Sequence, residues 1–373
     1  PILVFLQKMK KTFAQILAAE QAQPLGRVLS KVPQWAGTEL TIPSRLASEQ
    51  CSSSATALYK ADLLKGCGAI ADLTGGLGVD CWAFAQRAET VCHNELNPEL
   101  SEAVRANFAQ LGITNVEFSC EDAARRLESL PQVDAIYLDP ARRDDAGKKV
   151  FMVEDCRPDV LAMLPDLLAK APLVLVKLSP MADITMLCDK FAPHLKELHI
   201  VSLKGEVKEL LLLLTRSECA EEPLIVATDL ENRLEFRQEE ERRAKASYYT
   251  GDLTGRLLFE PDPAILKAGA FKLLCERFHT GKLAPSTHLY CVDAPVCFGK
   301  HYRVLRVFDS GKAGMKECAA AFPRAEVSAR NFPMSPDELR RRLKVGSGQD
   351  FHVFGVTLGS ARRVLIATSR EDI

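Results

Sequence analysis

The stretch DLTGGLGVD, residues 72–80, decides the fold class of this 373-residue chain. It follows a short apolar run and opens a segment with helical spacing, so its three glycines lie where a strand turns into a helix. Glycine lets a backbone approach a ligand closely, and the first N–H groups of a helix are free to bind it. We therefore predict a ligand-binding loop between a strand and a helix.

Two classes of ligand compete for such a loop. A dinucleotide site requires G-x-G-x-x-G for its pyrophosphate, but Cys81 stands here in place of the third glycine of that pattern. Asp72 also lies just before the glycines, where a carboxylate would repel a pyrophosphate and attract a cation. The ammonium group of S-adenosylmethionine is such a cation. The residues favour this ligand, and a tight turn without any ligand stays open as the alternative.

Short apolar runs alternate with amphipathic segments from about residue 66 onward. The apolar runs are AIADLT, TVCHNE, VEFSCE, AIYLDP, LVLVKL and ELHIVSL. One segment between them, PELSEAVRANFAQLG, ends at Gly112, a residue typical of helix C-termini. This alternation predicts βαβ units in a parallel sheet, and the turn Lys204-Gly205-Glu206 predicts an antiparallel pair at its end.

Acidic residues end the next three predicted strands as well. Glu95 follows Gly76 by 19 residues, where a carboxylate can accept both hydroxyls of a ribose. Asp122 is placed to accept an adenine amino group, and it can equally cap the helix that follows. Asp139 precedes Pro140, which cannot extend a central strand. Since parallel strands end at one edge of a sheet, these acids predict a single site there.

Composition and charge exclude several classes of protein. With 47% hydrophobic and 26% charged residues, the composition is that of a globular protein of two or three domains. A net charge of −1 means that any nucleic-acid surface must be local. The twelve cysteines include no C-x-x-C pair, so we predict no metal site and a reduced, cytoplasmic protein. No apolar run approaches the ~20 residues of a membrane span.

These motifs resemble those of class I S-adenosylmethionine-dependent methyltransferases. DLTGGLGVD resembles their glycine motif, HNELNPEL their ribose acid, SCEDA their adenine acid and YLDPARRD their catalytic edge. The stretch EQCSSSATALYK, residues 49–60, resembles the segment that such enzymes fold over the cofactor. DPARRD, FPRAEVSARNF and SPDELRRRLKV further resemble bacterial methyltransferase-like proteins with a THUMP-like C-terminal domain. The resemblance extends from about residue 40 onward.

The pattern and the resemblance imply an α/β fold, a Rossmann-like class I methyltransferase sheet with an N-terminal helical region and a C-terminal α+β THUMP-like domain. The implied regions are 1–65, 66–247 and 248–373, the last with the THUMP-like domain from about 300 to 373. The implied cofactor is S-adenosylmethionine. Its implied contacts are Gln50, Ser52, Ser53, Asp72, Thr74, Gly75, Gly76, Gly78, Asp80, Glu95, Leu96, Asp122, Ala123 and Asp139. The implied catalytic residues are Asp139, Pro140 and Arg142.

The catalytic edge departs from the usual pattern. Methyltransferases that act on exocyclic base amines typically carry Pro and an aromatic residue after Asp-Pro or Asn-Pro, and here these positions are Ala141 and Arg142. Arg142 can lie flat on a base or grip a phosphate. No Pro-Cys pair exists, so cysteine-mediated methylation of a ring carbon is set aside. The alternative is a salt-bridged loop in a cofactor-binding protein without catalysis.

The C-terminal part of the chain is locally basic. Residues 300–345 contain eleven lysines and arginines against five acids, a formal charge of +6. A basic module of this kind predicts nucleic-acid binding, and the THUMP-like resemblance implies RNA, either tRNA or rRNA. A basic face for solubility is one alternative. Another is methylation of a small molecule or a protein, with the C-terminal domain serving assembly.

Three local predictions complete the C-terminal half. SPDELRRRLKV is expected to form a helix with Ser335 as its N-cap. A single helix is predicted over 263–279, with strands around Tyr302–Phe308, Glu326–Ser328 and Val364–Thr368. The charge run EEERRAKA near residue 240 predicts a solvated turn or linker.

Overall fold

A computed structural model describes residues 23–141, 154 and 156–371 of the chain. The described residues divide into two compact units. The first lies within Pro1–His199 and Glu209–Pro223, and the second within Ile200–Lys208 and Leu224–Ile373. The predicted region boundaries near residues 65 and 247 remain predictions.

The first unit is an α/β arrangement in which strands and helices alternate, as the sequence predicts. Its helices are α1 (23–31), α2 (Arg45–Gln50), α3 (Ser54–Leu63), α4 (Val79–Ala85), α5 (Pro98–Gln110), α6 (Ala123–Ser129), α7 (Val160–Lys170) and α8 (Ile184–Phe191). Its strands are β1 (Ala69–Asp72), β2 (Thr90–Asn94), β3 (Val116–Ser119), β4 (Ala135–Leu138), β5 (Leu173–Leu178), the beginning of β6 (Leu195–Leu203) and most of β7 (Glu206–Thr215). All six predicted apolar runs are strands, and Gly112 follows α5 in a left-handed conformation with φ +70°.

The strand order in this unit is β3-β2-β1-β4-β5-β7-β6. The pairs from β3 to β5 are parallel, and β7 runs antiparallel to β5. The sequence predicted the antiparallel pair but not that β7 lies between β5 and β6. The physical reason is the run Leu210–Leu214, which is buried throughout. A strand that is apolar on both faces is stable only at a central position.

The second unit carries the remaining strands and five helices of the described chain. Its helices are α9 (Gln238–Arg243), α10 (Pro263–Ala268), α11 (Lys272–Arg277), α12 (Lys312–Ala321) and α13 (Pro336–Leu343). Its further strands are β8 (Leu224–Thr228), β9 (Arg233–Phe236), β10 (Leu257–Pro261), β11 (Gly281–Ala284), β12 (Thr287–Val292), β13 (Gly299–Asp309), β14 (Glu326–Arg330), β15 (Phe351–Leu358) and β16 (Arg362–Glu371). The order β11-β12-β10-β13-β16-β15-β14 makes a seven-stranded sheet that is antiparallel except for β14 and β15.

Helices α12 and α13 bury their apolar sides in one cluster with this sheet. Cys318 of α12 and Leu339 of α13 are fully buried there beside Val353 and Leu365. As predicted, Ser335 is the N-cap of α13, and its hydroxyl accepts a hydrogen bond from the N–H group of Glu338 at 3.2 Å. The basic side chains of these helices therefore lie on the opposite, outward sides.

Two local predictions for this unit are wrong. The single helix over 263–279 is divided into α10 and α11, because Gly269 adopts φ +79° and ends the first of them. The charge run near residue 240 is not a turn but includes α9. There the Glu240 carboxylate accepts a hydrogen bond from the N–H group of Arg237, and Glu239 pairs with Arg243 one turn away. Local capping and ion pairs offset the lack of an apolar face in this short helix.

Candidate functional site

The glycine loop between β1 and α4 leaves no room for side chains at two of its positions. A Cβ atom on Gly75 would lie 2.2 Å from Nε2 of His93, and one on Gly78 would lie 2.7 Å from a methyl carbon of Val104. Gly78 also has φ +79° and Gly76 has φ +53°, conformations that side chains disfavour. The loop is thus packed closely against β2 and α5 on its inner side, and its backbone is the surface that it offers to a ligand.

Asp72 presents a buried carboxylate at the start of this loop. It is 1% exposed and accepts a hydrogen bond from the N–H group of Thr74 at 3.0 Å. Burial, together with the negative charges of Asp80, Asp139 and Glu95, raises the pKa of Asp72 well above its usual value. In the part of the chain that the structure describes, no cation pairs with this carboxylate. A positively charged ligand group would therefore be stabilised here.

Glu95 and Leu96 follow β2 and lie beside the loop. The Glu95 carboxylate accepts hydrogen bonds from the N–H groups of Gly76 at 2.9 Å and of Asn97 at 2.8 Å. Leu96 is 67% exposed, which is unusual for a large apolar side chain. Together they offer an anionic acceptor and an adjacent apolar surface, and both suit a nucleoside.

Asp122 acts as the helix cap that the sequence allowed. Its carboxylate accepts hydrogen bonds from the N–H groups of Ala124 at 2.9 Å and Arg125 at 3.4 Å, and Ala123 is buried. Asn94, which the sequence analysis did not identify, joins this turn to the glycine loop. Its amide donates to the carbonyl oxygens of Leu73 at 3.2 Å and Glu121 at 3.0 Å. The only signal for Asn94 in the sequence was the presence of an amide side chain at the end of an apolar strand.

Asp139 and Pro140 follow β4 at the same edge of the sheet. The N–H group of Asp139 donates to the Thr74 hydroxyl at 2.6 Å, which fixes the end of β4 to the glycine loop. Lys177 of β5 forms an ion pair with the Asp139 carboxylate. Beyond Pro140, Ala141 forms an isolated antiparallel bridge with Arg157. Arg142, together with Arg143, Asp144 and Asp145, lies outside the described residues.

The segment upstream of β1 contains the remaining predicted contacts. Ser53 caps α3, since its hydroxyl accepts a hydrogen bond from the N–H group of Thr56 at 3.2 Å. The Ser52 hydroxyl donates to Asp80 at 2.8 Å, directly after the glycine loop. Gln50 ends α2 and is exposed. The structure therefore joins this segment to the loop through Ser52, while the roles of all three side chains at a cofactor remain predictions.

A buried lysine organises this connection. Lys60 of α3 is 0% exposed, and its ammonium group lies 2.9 Å from Asp80, 3.1 Å from Glu209 and 2.9 Å from the Ser52 hydroxyl. Tyr137 donates a further hydrogen bond to Asp80 at 2.9 Å. Burial opposes the charge of Asp80, but Lys60 and Lys177 hold its pKa below the usual value.

The pKa of Glu209 is shifted in the opposite direction from that of Asp80, although both carboxylates contact Lys60. Burial raises the pKa of Glu209, and Lys60 and Lys177 offset this only in part. The sequence analysis did not identify Glu209 or Lys177. Lys177 is the only charge in LVLVKL, and Glu209 directly precedes the five leucines of EVKELLLLLT, so a charge inside or next to an apolar run was the signal that could have identified them.

The residues fit S-adenosylmethionine. Asp72 offers an unpaired carboxylate for an ammonium group, Glu95 an acceptor for hydroxyls and Leu96 an exposed apolar surface, all around one closely packed glycine turn. Within residues 23–141, 154 and 156–371, no cluster of histidine, cysteine and acidic side chains could hold a metal ion. In the same residues, no helix is long and apolar enough to cross a membrane.

The fold and this site define a class I S-adenosylmethionine-dependent methyltransferase. The crystal structure of a candidate methyltransferase from Porphyromonas gingivalis W83 is similar to this chain with a TM-score of 0.86 and 34% identity, covering 95% of this chain and 90% of that one. An uncharacterised S-adenosylmethionine-dependent methyltransferase of Mycobacterium tuberculosis is 22% identical over 351 residues, which cover 92% of this chain and 91% of that protein.

Two family models match the second unit. Residues 257–298 match a ferredoxin-like domain, and residues 299–370 match a THUMP domain-like model. The chain therefore belongs to the class I methyltransferases with a THUMP-like domain, and S-adenosylmethionine is its cofactor. The predicted family, fold class and cofactor are confirmed.

Proposed function

We propose that this methyltransferase modifies RNA, with the THUMP-like region holding the RNA and the first unit supplying the methyl group. The observation that carries the proposal is a set of exposed cations without carboxylate partners on α12 and at the end of α13. These are Lys312, Lys316, Arg341 and Lys344. Among the described residues, no acidic side chain forms an ion pair with any of them.

A phosphate backbone binds best to cations whose charge no neighbouring carboxylate neutralises. Lys312 and Lys316 are one helical turn apart, so they lie on the same side of α12 and repel each other. Three consecutive arginines lie in the last turn of α13, where the negative end of the helix dipole favours cations. When phosphates bind such a surface, they release counterions, so the affinity for a nucleic acid depends on the salt concentration. This arrangement supports a polyanionic partner more than a small neutral substrate.

In the first unit, we propose that Asp72 binds the ammonium group of the cofactor, Glu95 its ribose hydroxyls, and Asp122 its adenine amino group. When bound, S-adenosylmethionine supplies an activated methyl group on a positively charged sulfur. The protein then has to orient the acceptor and exclude water. Asp139, fixed by Thr74 at its backbone, is the residue that we place nearest the acceptor atom, with Pro140 shaping the edge.

The proposal is tested with total RNA and methyl-labelled S-adenosylmethionine. The natural protein should transfer label to RNA. A Lys312→Glu/Lys316→Glu variant should transfer much less at low RNA concentration, and its affinity for S-adenosylmethionine should not change. The matched control is Lys65→Glu/Lys245→Glu, which reverses the same number of exposed lysine charges outside residues 299–370.

Binding as a function of salt separates RNA recognition from a general charge effect. Each phosphate contact that the variant loses should reduce the slope of log affinity against log salt by about one. The control should keep the slope of the natural protein. Label that appears in protein or small molecules but never in RNA would contradict the proposal, as would equal loss of RNA binding in both variants.

A further inference from the structure

Lys177 is the only charged residue of β5, whose sequence is LVLVKL. Its neighbours Val176 and Leu178 are buried, and its own side chain is only 15% exposed. A lysine in such a position costs stability unless it is paired. Its partner is Asp139, and the ion pair lies at the edge where the predicted acids converge.

The pairing follows from the register of the sheet. Leu138 of β4 is opposite Val176 of β5, so Asp139 and Lys177 are the next residues of two adjacent parallel strands. Thr74 holds the backbone N–H group of Asp139 at 2.6 Å, while Lys177 contacts its carboxylate. The acid is therefore fixed at two points, although its side chain is still 36% exposed. The Asp139 carboxylate therefore remains accessible to a ligand although Lys177 contacts it.

Several charged groups act on Lys177 from the surrounding elements. Burial alone would lower the pKa of Lys177, but the carboxylates of Asp139, Glu209 and Asp80 raise it above its usual value. Lys31 of α1 and Cys51 after α2 also interact with it electrostatically. Lys177 consequently stays an ammonium group, and it can only donate hydrogen bonds.

We propose that Lys177 holds one oxygen of the Asp139 carboxylate so that the other oxygen accepts a hydrogen bond from the methyl acceptor. This inference rests on the proposed function, since it takes Asp139 as the residue nearest the acceptor atom. It deepens that function by defining the acceptor chemically. A carboxylate held in this way recognises a nitrogen or an oxygen that carries hydrogen, such as an exocyclic amine or a hydroxyl, and not a ring carbon.

The role of Lys177 is tested by a double-mutant cycle with Asp139→Asn. Lys177→Met should lower kcat about 100-fold, the effect of a misplaced reacting group, and leave the affinity for S-adenosylmethionine within about threefold. Lys177→Arg keeps the charge and should recover most of the rate. In the Asp139→Asn background, Lys177→Met should cause no further loss, because Lys177 acts through Asp139. Lys170→Met, at the C-terminus of α7, is the control.

A second measurement does not depend on the acceptor. The methyl resonance of bound S-adenosylmethionine, labelled with ¹³C at that carbon, should move in Lys177→Met and in Asp139→Asn but not in Lys170→Met. If no label reaches RNA but the resonance moves, the RNA proposal fails and the position of the pair stands. An unchanged resonance and an unchanged rate in Lys177→Met would overturn the inference. The inference would also be overturned if Lys177→Met lowered the rate equally in the natural protein and in the Asp139→Asn variant.

Discussion

Charged side chains are used in opposite ways in two regions of this molecule. At the edge that holds the glycine loop, Lys60, Asp80 and Glu209 are almost wholly buried, and both carboxylates contact the Lys60 ammonium group. On α12 and α13, most cations are exposed, and Arg342 forms its ion pair with Glu338 at the surface, where water solvates both side chains. The first region is a fixed framework, and the second is a surface available to a partner.

The difference predicts how each region responds to substitution. A buried charge that loses its partner keeps the full cost of its desolvation, whereas an exposed one is solvated by water. Substitutions in the buried network should therefore change the free energy of unfolding. Substitutions on α12 and α13 should change binding and leave stability nearly unaltered.

The largest effect is expected for Lys60→Met. This change leaves the Asp80 and Glu209 carboxylates buried without their shared cation, which should cost about 3–5 kcal/mol of the free energy of unfolding. Chemical denaturation measures it, with the exposed Lys65→Met as control. A loss below about 1 kcal/mol would mean that this buried network contributes little to the stability of the first unit.

A second prediction concerns the pH dependence of stability. His93 of β2 is 0% exposed beneath Gly75, and burial lowers its pKa from 6.5 to about 4. The unfolded chain therefore binds a proton below about pH 6.5, while the folded chain does so only near pH 4. The contribution of His93 is complete above pH 6.5 and is lost as the pH falls, by about 2 kcal/mol at pH 5.

His93→Phe isolates this contribution, because it keeps an aromatic ring beside Phe118 and removes the titration. Its free energy of unfolding should fall less steeply between pH 7 and pH 5 than that of the natural protein, by about 2 kcal/mol. The slope is the measured quantity, so a uniform loss from altered packing does not affect the comparison. Identical slopes would contradict the prediction.

The sequence predicted those features of the fold and the site that depend on a few neighbouring residues. It did not predict those that depend on distant parts of the chain. The glycine loop, the strand ends and the caps at Asp122 and Ser335 depend on a few neighbouring residues, and the structure contains all of them. The contacts of Lys60 with Glu209 join residues 149 positions apart, and no local pattern encodes them. The position of β7 between β5 and β6 likewise depends on the burial of both faces of the strand, which only the complete sheet provides.

A smaller free-energy change is expected at the glycine loop, where Glu95 faces the proposed cofactor site. Glu95→Ala should lower the affinity for S-adenosylmethionine tenfold or more, about 1.4 kcal/mol, since two ribose hydroxyls would lose a charged acceptor. Calorimetry measures it, and Glu99→Ala on α5 is a nearby control. Unchanged affinity would refute the ribose assignment and would leave the Glu95 contacts to Gly76 and Asn97 as purely structural.

The smallest change in stability is expected for Glu338→Gln on α13. The pair with Arg342 spans 2.9 Å between side chains that are 38% and 56% exposed, so its loss should cost no more than about 0.5 kcal/mol. The same substitution frees Arg342 for a phosphate, and RNA affinity should rise slightly, with a steeper salt dependence. Arg342→Gln should have the opposite effect on binding with the same small effect on stability. If instead Glu338→Gln lowers the free energy of unfolding by 2 kcal/mol or more and leaves RNA binding unchanged, these cations belong to a structural network like that of Lys60. The contrast between the two regions would then be lost.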